Sequence, residues 1–415
     1  MEEVVVAVLG GSGFLGQHVV HQLLEDSLKE HNENDKRSWK VKQIRVLDVT
    51  PYQPCIAPPS GAKAQVEYRE CDVRDGKKMT QELTGVVAVF NCTAIAPNLA
   101  KEDLGCSNDY IRQVNFEGVC EMVEACKAAG VRVLVHTSNI VVIMRGVKLM
   151  EHTETHTPLP ANQDLVLGQY ARIRLAAEKL VLEAHDTTTS KGEKLQTVAL
   201  RPPIMYGEGD ISFIPEMLRL ARATKNVIPS IGNPEAFMQA AYVGNVAEAH
   251  VCALRKLLSG NDNHLESCGG MPVYVTDNTP PHNLPGLVQP FLESFGIQPS
   301  QMLPYWWVSL MMLLAGLWTA MWSLLGFTDN KEASSHPIRA LHRYAGTVTV
   351  TSDQVVYGTP SISSWDSERL PLAGLARHRP QSALGCDMIN IPLGQTLQHQ
   401  NVHRNKQMYN TVLCV

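Results

Sequence analysis

An α/β fold built on a doubly wound parallel sheet is predicted from three features of this 415-residue chain. Apolar, β-branched runs of strand length alternate with helical stripes from about residue 4 to residue 200. The leading run, Val4 to Leu9, is unbroken, as expected of a strand buried on both faces. A glycine cluster then separates it from the first helical stripe. Strands and helices alternating in this order build parallel sheets with helices on both faces.

The elements follow in turn. Phe14 to Glu25 places Leu15, Val19, Val20, Leu23 and Leu24 at helical spacing. The polar stretch from Lys29 to Lys40 reads as a loop, and Ile44 to Leu47 as the second strand. Further strand-like runs are Val66–Glu70, Val86–Asn91 and Val131–Thr137; helical patterns cover Tyr110–Ala129 and Tyr170–Ala184. From Arg201 the chain turns richer in proline and glycine with shorter elements. The expected organisation is a nucleotide-binding domain over 1–200 and a smaller substrate lobe over 201–300, interleaved with the core. An apolar helix over 304–327, a closing segment over 328–370 and a poorly ordered tail over 371–415 complete it.

Composition narrows the function. Apolar residues at 44% and charged residues at 19% belong to a globular chain. A net charge of −5 offers no basic excess for neutralising phosphates, so nucleic acid is not the expected partner. The ten cysteines are scattered, without paired spacing, and read as reduced thiols facing the cytosol. His18, His21, His136 and His250 share no face with acids or thiols, so no metal site is expected. The chain opens on two glutamates and runs directly into a strand, with no secretory signal expected. Pro304 to Phe327 carries no charge, is apolar on every face and has tryptophans near both ends. Such a segment is long enough to cross a hydrocarbon core of about 30 Å, and its tryptophans suit the interface with water. Membrane lipid is therefore an expected partner.

Gly10-Gly11-Ser12-Gly13-Phe14-Leu15-Gly16, between first strand and first helix, satisfies the GxGxxG spacing. The chain must turn sharply there and let a pyrophosphate approach its backbone, while the helix start offers free N–H groups to the anion. This is the mark of a Rossmann-type dinucleotide site. The second strand ends at Asp48, whose carboxylate can accept both hydroxyls of an adenosine ribose and would repel a 2′-phosphate. Arg45 should point to the other face of the strand, so NAD is expected rather than NADP. Asp72, after another strand, is a candidate for the adenine edge.

Further motifs appear in order: Val114-Asn115 with Gly118, His136-Thr137-Ser138-Asn139, Tyr170 followed by Ala177-Glu178-Lys179, Leu200-Arg201-Pro202 with Tyr206-Gly207-Glu208-Gly209, and Tyr242-Val243-Gly244-Asn245-Val246 with Ala249-His250. Together the chain resembles the 3β-hydroxysteroid dehydrogenase/Δ5-Δ4-isomerase family of extended short-chain dehydrogenases over about residues 4 to 370. Ser352-Asp353, Tyr357-Gly358 and Ser364-Trp365 resemble a shortened form of that family's closing motif. The resemblance implies a 3β-hydroxy sterol or steroid as substrate and oxidation with NAD, with a double-bond shift as an optional second step. It also implies an endoplasmic reticulum membrane location with the catalytic domain facing the cytosol. A homodimer is left open.

Oxidising a secondary alcohol needs a base near the hydroxyl and a hydride acceptor held in register. A tyrosine beside a fixed cation can be that base. Tyr170 opens a helical pattern, and Arg174 lies one turn later on the same face. The family arrangement has lysine where this chain has Arg174, and serine where it has Asn139. Arginine keeps the charge on a longer, planar group. An asparagine amide can donate to the substrate oxygen but cannot relay a proton. Ser138 should point to the opposite side of the strand from Asn139; either residue is a candidate to polarise the oxygen. Asn115 and Pro202 match positions that support the nicotinamide side, and Tyr206 is expected nearby. A second reading stands beside the enzyme: a non-catalytic relative that binds NAD and a lipid, its triad degraded.

Overall fold

The computed structural model describes residues 2–28, 39–96, 108–144, 167–231, 237–259 and 268–304, with isolated positions 159, 161, 164, 165, 306, 307, 310, 311, 313, 314 and 317. The closing motif and the tail lie outside the described residues, as does most of the 304–327 segment. Among the described residues no helix is long and apolar enough to cross a membrane.

The predicted alternation resolves into seven parallel strands. These are β1 (Glu2–Leu9), β2 (Trp39–Asp48), β3 (Gln65–Glu70), β4 (Ala88–Asn91), β5 (Val133–Thr137), β6 (Gln196–Arg201) and, after three short strands, β10 (Pro272–Tyr274). Their order is β10-β6-β5-β4-β1-β2-β3, every neighbouring pair parallel. The chain therefore winds outward in one direction from β1 to β3 and in the other from β4, leaving a crevice between β1 and β4. Ligands of open parallel sheets bind in such a crevice, outside the carboxyl ends of the strands.

Strand alternation sorts the apolar side chains into two layers. Val4, Val6 and Val8 of β1 face one side with Val133 and Val135 of β5, under α1 (Phe14–Leu28) and α7 (Val243–Leu258). Ala7 and Leu9 face the other with Val89 and Leu134, under α2 (Gly76–Glu82), α4 (Gly118–Ala129) and α5 (Gly168–Glu183). A third cluster forms the smaller lobe from β7 (Ile204–Tyr206), α6 (Phe213–Ala223), β8 (Val227–Ile231), β9 (Ala240–Tyr242), α8 (Leu284–Leu292) and β11 (Gln298–Leu303).

One predicted helix differs in form. The stripe expected over Tyr110–Ala129 is built as α3 (Asn108–Arg112), a π-helical turn (Gln113–Glu117) and α4. The extra residue per turn rotates the register, and such turns recur at functional sites. Asn115 lies within this turn and is fully buried.

Candidate active site

The glycine loop shows which glycines serve the fold and which serve a ligand. Gly10 has φ +71, and a Cβ there would lie 2.9 Å from the backbone after β4. At Gly16 a Cβ would lie 2.1 Å from the Gly10 carbonyl oxygen, so this position fixes the approach of α1 to the loop. At Gly13 the nearest atom is the Gly10 carbonyl oxygen at 3.2 Å, a tight fit but less so than at Gly16, which leaves room for a second reason for glycine. A pyrophosphate approaching the backbone supplies that reason. The side chains of Phe14 and Leu15 pack into the core and leave the amides of the first turn of α1 for an anion.

Asp48 ends β2 beside this loop. Its Oδ2 accepts from the Ser12 amide at 3.0 Å and its Oδ1 from the Thr50 amide at 3.0 Å, which holds the carboxylate at the crevice wall. A cavity there is lined by residues that include Gly10, Gly13, Asp48, Asp72 and Thr93–Ile95. Arg45 points away, donating to the carbonyls of Glu82 and Thr84 at 2.6 and 2.9 Å. Arg45 therefore offers no compensating charge to a 2′-phosphate. Asp72 also borders the cavity, but Arg74 holds its carboxylate at 2.6 and 3.0 Å and keeps it below the usual carboxylate range. Asn115 exchanges two hydrogen bonds with the Ile95 backbone, at 2.8 and 2.7 Å, and so pins the loop after β4.

The second half of the site gathers at the end of β5. Asn139 caps a short 3-10 turn (Ile140–Val142), its Oδ1 accepting from the Val141 amide at 3.0 Å. Tyr170, near the start of α5, packs against the apolar cluster that this turn forms with Ala171, Leu175 and Tyr274. The Pro202 carbonyl accepts from the Ile140 amide at 3.1 Å. Residues distant in sequence are thus brought together: Asn139, Tyr170, Pro202 and, one turn after Tyr170, Arg174.

Arg174 is 2% exposed. Its Nη2 donates to the Thr137 carbonyl at 2.6 Å, while Nε and Nη1 have no partner among the described residues. Leaving buried donors unmade is costly, so these two nitrogens fit a ligand that brings its own acceptors, as ribose hydroxyls do.

Ser138 lies elsewhere. Its hydroxyl donates to Glu178 Oε2 at 2.5 Å, and Glu178 is clamped by Arg201 at 2.5 and 2.9 Å, all three buried. The alternation expected at this strand end holds: Asn139 borders the site, and Ser138 is committed beneath α5.

Two histidines support this floor. The Val246 carbonyl, 2.7 Å from His250 Nδ1, can only accept, so Nδ1 carries the proton and Nε2 accepts from Thr137 Oγ1 at 2.8 Å. Burial holds the His250 pKa down at about 4. Asn91 Oδ1 accepts from the Thr93 amide and hydroxyl, so its Nδ2 donates to His136 Nδ1 at 3.0 Å. Burial, with Arg174 and His250 nearby, pushes His136 well below the usual histidine value. Both rings are neutral packing elements.

The family model for the 3-beta hydroxysteroid dehydrogenase/isomerase family matches residues 7–305, which include the glycine loop, Asp48, the end of β5 and α5. The chain belongs to this family. Members of comparable sequence include the 3beta-hydroxysteroid-dehydrogenase/decarboxylase isoform 1 of Arabidopsis thaliana, 27% identical over 77% of this chain and 67% of that protein. The 3 beta-hydroxysteroid dehydrogenase type 7 of Mus musculus is 26% identical over 88% of this chain and 93% of its own length. The decarboxylating sterol-4-alpha-carboxylate 3-dehydrogenase of Saccharomyces cerevisiae is 29% identical over 66% and 71%. The matched region spans 66% of a Vaccinia virus relative. Among solved structures, the dTDP-glucose 4,6-dehydratase of Streptomyces venezuelae, crystallised with NAD, shares the fold at TM-score 0.53 and 19% identity, over 72% of this chain and 84% of that one. Family membership agrees with the resemblance read from the motifs.

Sequence reasoning missed the supports beneath the site: the Glu178–Arg201 clamp, the Asn91–His136 pair and the Thr137–His250 link. Glu178 did offer a signal, since it sits four residues after Arg174 on the same helical face. The strand partners offered none, because their register appears only once the sheet is assembled.

Proposed function

We propose that this chain is a membrane-associated NAD-dependent oxidoreductase that oxidises the 3β-hydroxyl of a sterol or steroid. The observation that carries this reading is Arg174, a buried cation one turn from Tyr170 with two nitrogens that have no partner among the described residues. NAD, when bound, supplies the hydride acceptor. The glycine loop and the start of α1 would hold its pyrophosphate, and Asp48 its adenosine ribose. Asn115 would support the loop beside it. Tyr170 takes the proton of the substrate hydroxyl as the carbinol hydrogen leaves as hydride, and the alcohol becomes a ketone. Arg174, one helical turn from this base, offers Nε and Nη1 to ribose hydroxyls. The Asn139 amide donates to the substrate oxygen. A Δ5-to-Δ4 double-bond shift afterwards is part of the same proposal, read as formation of a conjugated enone.

Attachment to the endoplasmic reticulum membrane rests on the 304–327 run. Its described residues Trp306, Trp307, Leu310, Met311, Leu313, Leu314 and Leu317 are all exposed. Deleting Pro304–Phe327 should move the protein from the membrane fraction to the soluble one; a full-length protein already soluble would overturn this part.

The test incubates full-length protein with NAD and a panel of 3β-hydroxysteroids, including 4-carboxylated sterols because the Saccharomyces cerevisiae relative is named for that substrate, and follows NADH. At least one substrate should be oxidised, and Tyr170→Phe should slow it by roughly 10²–10⁴-fold with NAD binding kept. The second reading, a non-catalytic protein binding NAD and a lipid, is favoured by one observation: the only hydroxyl at the end of β5 besides Thr137 is committed to Glu178. NAD binding without NADH from any member of the panel would establish it.

A further inference from the structure

Arg174 and Glu178 stand four residues apart on the buried face of α5. That spacing pairs opposite charges along a helix. Long side chains also lean toward the helix N-terminus, which carries Glu178 toward Arg174. Both reach the same strand end: Arg174 donates to the carbonyl of Thr137, and Glu178 accepts from the hydroxyl of the next residue, Ser138. Yet no ion pair joins them among the described residues. Arg174 keeps Nε and Nη1 unpartnered, although both atoms are buried.

The reason lies one strand away. Arg201, at the end of β6, donates Nη2 to Glu178 Oε1 at 2.5 Å and Nε to Oε2 at 2.9 Å, and Ser138 donates to Oε2 as well. The planar fork of an arginine occupies both carboxylate oxygens at once, which a point charge cannot do. We infer that Arg201 and Ser138 are positioning residues that sequester Glu178, leaving the Arg174 cation uncompensated one helical turn from Tyr170. This inference rests on the assignment of Tyr170 as base and adds a role for residues that touch neither substrate nor cofactor.

Among the described residues, the charged and titratable groups facing this layer from the packed elements are few. His136 on β5 is held neutral, and Tyr274 on β10 lies under Arg201, whose guanidinium sits 5.5 Å from its ring. On the helices packed against α5, Asp109 and Glu117 are held by Arg112 and Glu124 by Lys127, and Glu121 lies exposed. Glu178 is therefore the carboxylate placed to neutralise Arg174.

The experiment compares Arg201→Met, Arg201→Lys and the double variant Arg201→Met with Glu178→Gln. The readouts are the acid limb of the pH–rate profile and the phenolate absorbance that Tyr170→Phe removes. Freeing Glu178 lets it pair with Arg174, which neutralises the cation one turn from the base. In Arg201→Met the titration midpoint should rise by about one pH unit, with the loss in kcat rather than KM. Arg201→Lys should shift it less, and it carries the reading if the methionine variant does not fold. The double variant should return the midpoint to its wild-type position. An unmoved midpoint in the folded single variants, or the same rise in the double variant, overturns the inference. The absorbance titration needs no turnover, so a protein without dehydrogenase activity would sink the proposed function and still allow this test.

Discussion

The nucleotide end of the crevice and the catalytic end of β5 recognise their ligands by different means. At the first, the working parts are backbone: Gly10, Gly11 and Gly16 shaped by close packing, Gly13 less crowded, and free amides at the start of α1. Asp48 is the one side chain that has to be placed, and two neighbouring amides place it. At the second, every working part is a side chain, and each depends on others beneath it. Arg174 rests on Thr137, Thr137 on His250, and Ser138 on Glu178 and Arg201. A backbone site tolerates drift in its surroundings as long as its glycines remain. A side-chain site transmits every substitution in its supports.

The largest effect expected in the backbone site comes from Gly16→Ala. The added methyl would lie 2.1 Å from a carbonyl oxygen of the loop, where nothing flexible can yield. Stability should fall by about 3 kcal/mol, seen as a lower urea midpoint, and NAD binding should fall with it. Gly13→Ala should separate the two effects, because its nearest contact is at 3.2 Å. Stability should fall less than in Gly16→Ala while NAD affinity drops. Equal damage from both variants would mean that the loop has no ligand-facing glycine.

That contrast explains what was legible in the sequence. Gly10 to Gly16 and Asp48 lie within one strand–helix–strand unit, so their spacing already encodes their geometry. The fold class was legible for the same reason, since β-branched runs and helical stripes are local patterns. Asn139 and Ser138 could be assigned to opposite sides by strand alternation alone. The Glu178–Arg201 clamp joins residues 23 positions apart, and the Thr137–His250 bond joins residues 113 apart. No periodicity spans such gaps. The π-helical turn at Gln113–Glu117 was hidden too, because its apolar positions fit an ordinary helix.

Acid should sharpen the comparison next. His250 is buried and neutral, with its pKa lowered from 6.5 to about 4 by burial. The unfolded chain binds this proton as pH falls through the ordinary value, whereas the folded chain does not until about pH 4. Stability is therefore fully present above pH 6.5 and declines between there and about pH 4, by up to about 3 kcal/mol from this group. His136 shifts in the same direction and adds to the decline. Urea titrations across this range should show the slope, and His250→Gln should flatten part of it. An unchanged slope in that variant would remove the buried ring from the support of the catalytic end.

The smallest effect tests whether the backbone site reads its ligand with a side chain at all. Asp48→Asn leaves one acceptor oxygen for two amides, so either the Ser12 or the Thr50 bond is lost while the other still ties the side chain to the loop. A neutral amide is a weaker acceptor for ribose hydroxyls, and NAD affinity should fall about tenfold, the worth of one charge-assisted hydrogen bond. Repulsion of a 2′-phosphate disappears at the same time. Arg45 gives it no attraction, because that guanidinium is turned to the carbonyls of Glu82 and Thr84 on the other face. The variant should therefore lose its preference between NAD and NADP without gaining strong NADP binding. Tight NADP binding would show that a cation other than Arg45 reaches the crevice, and would move cofactor selection away from the end of β2.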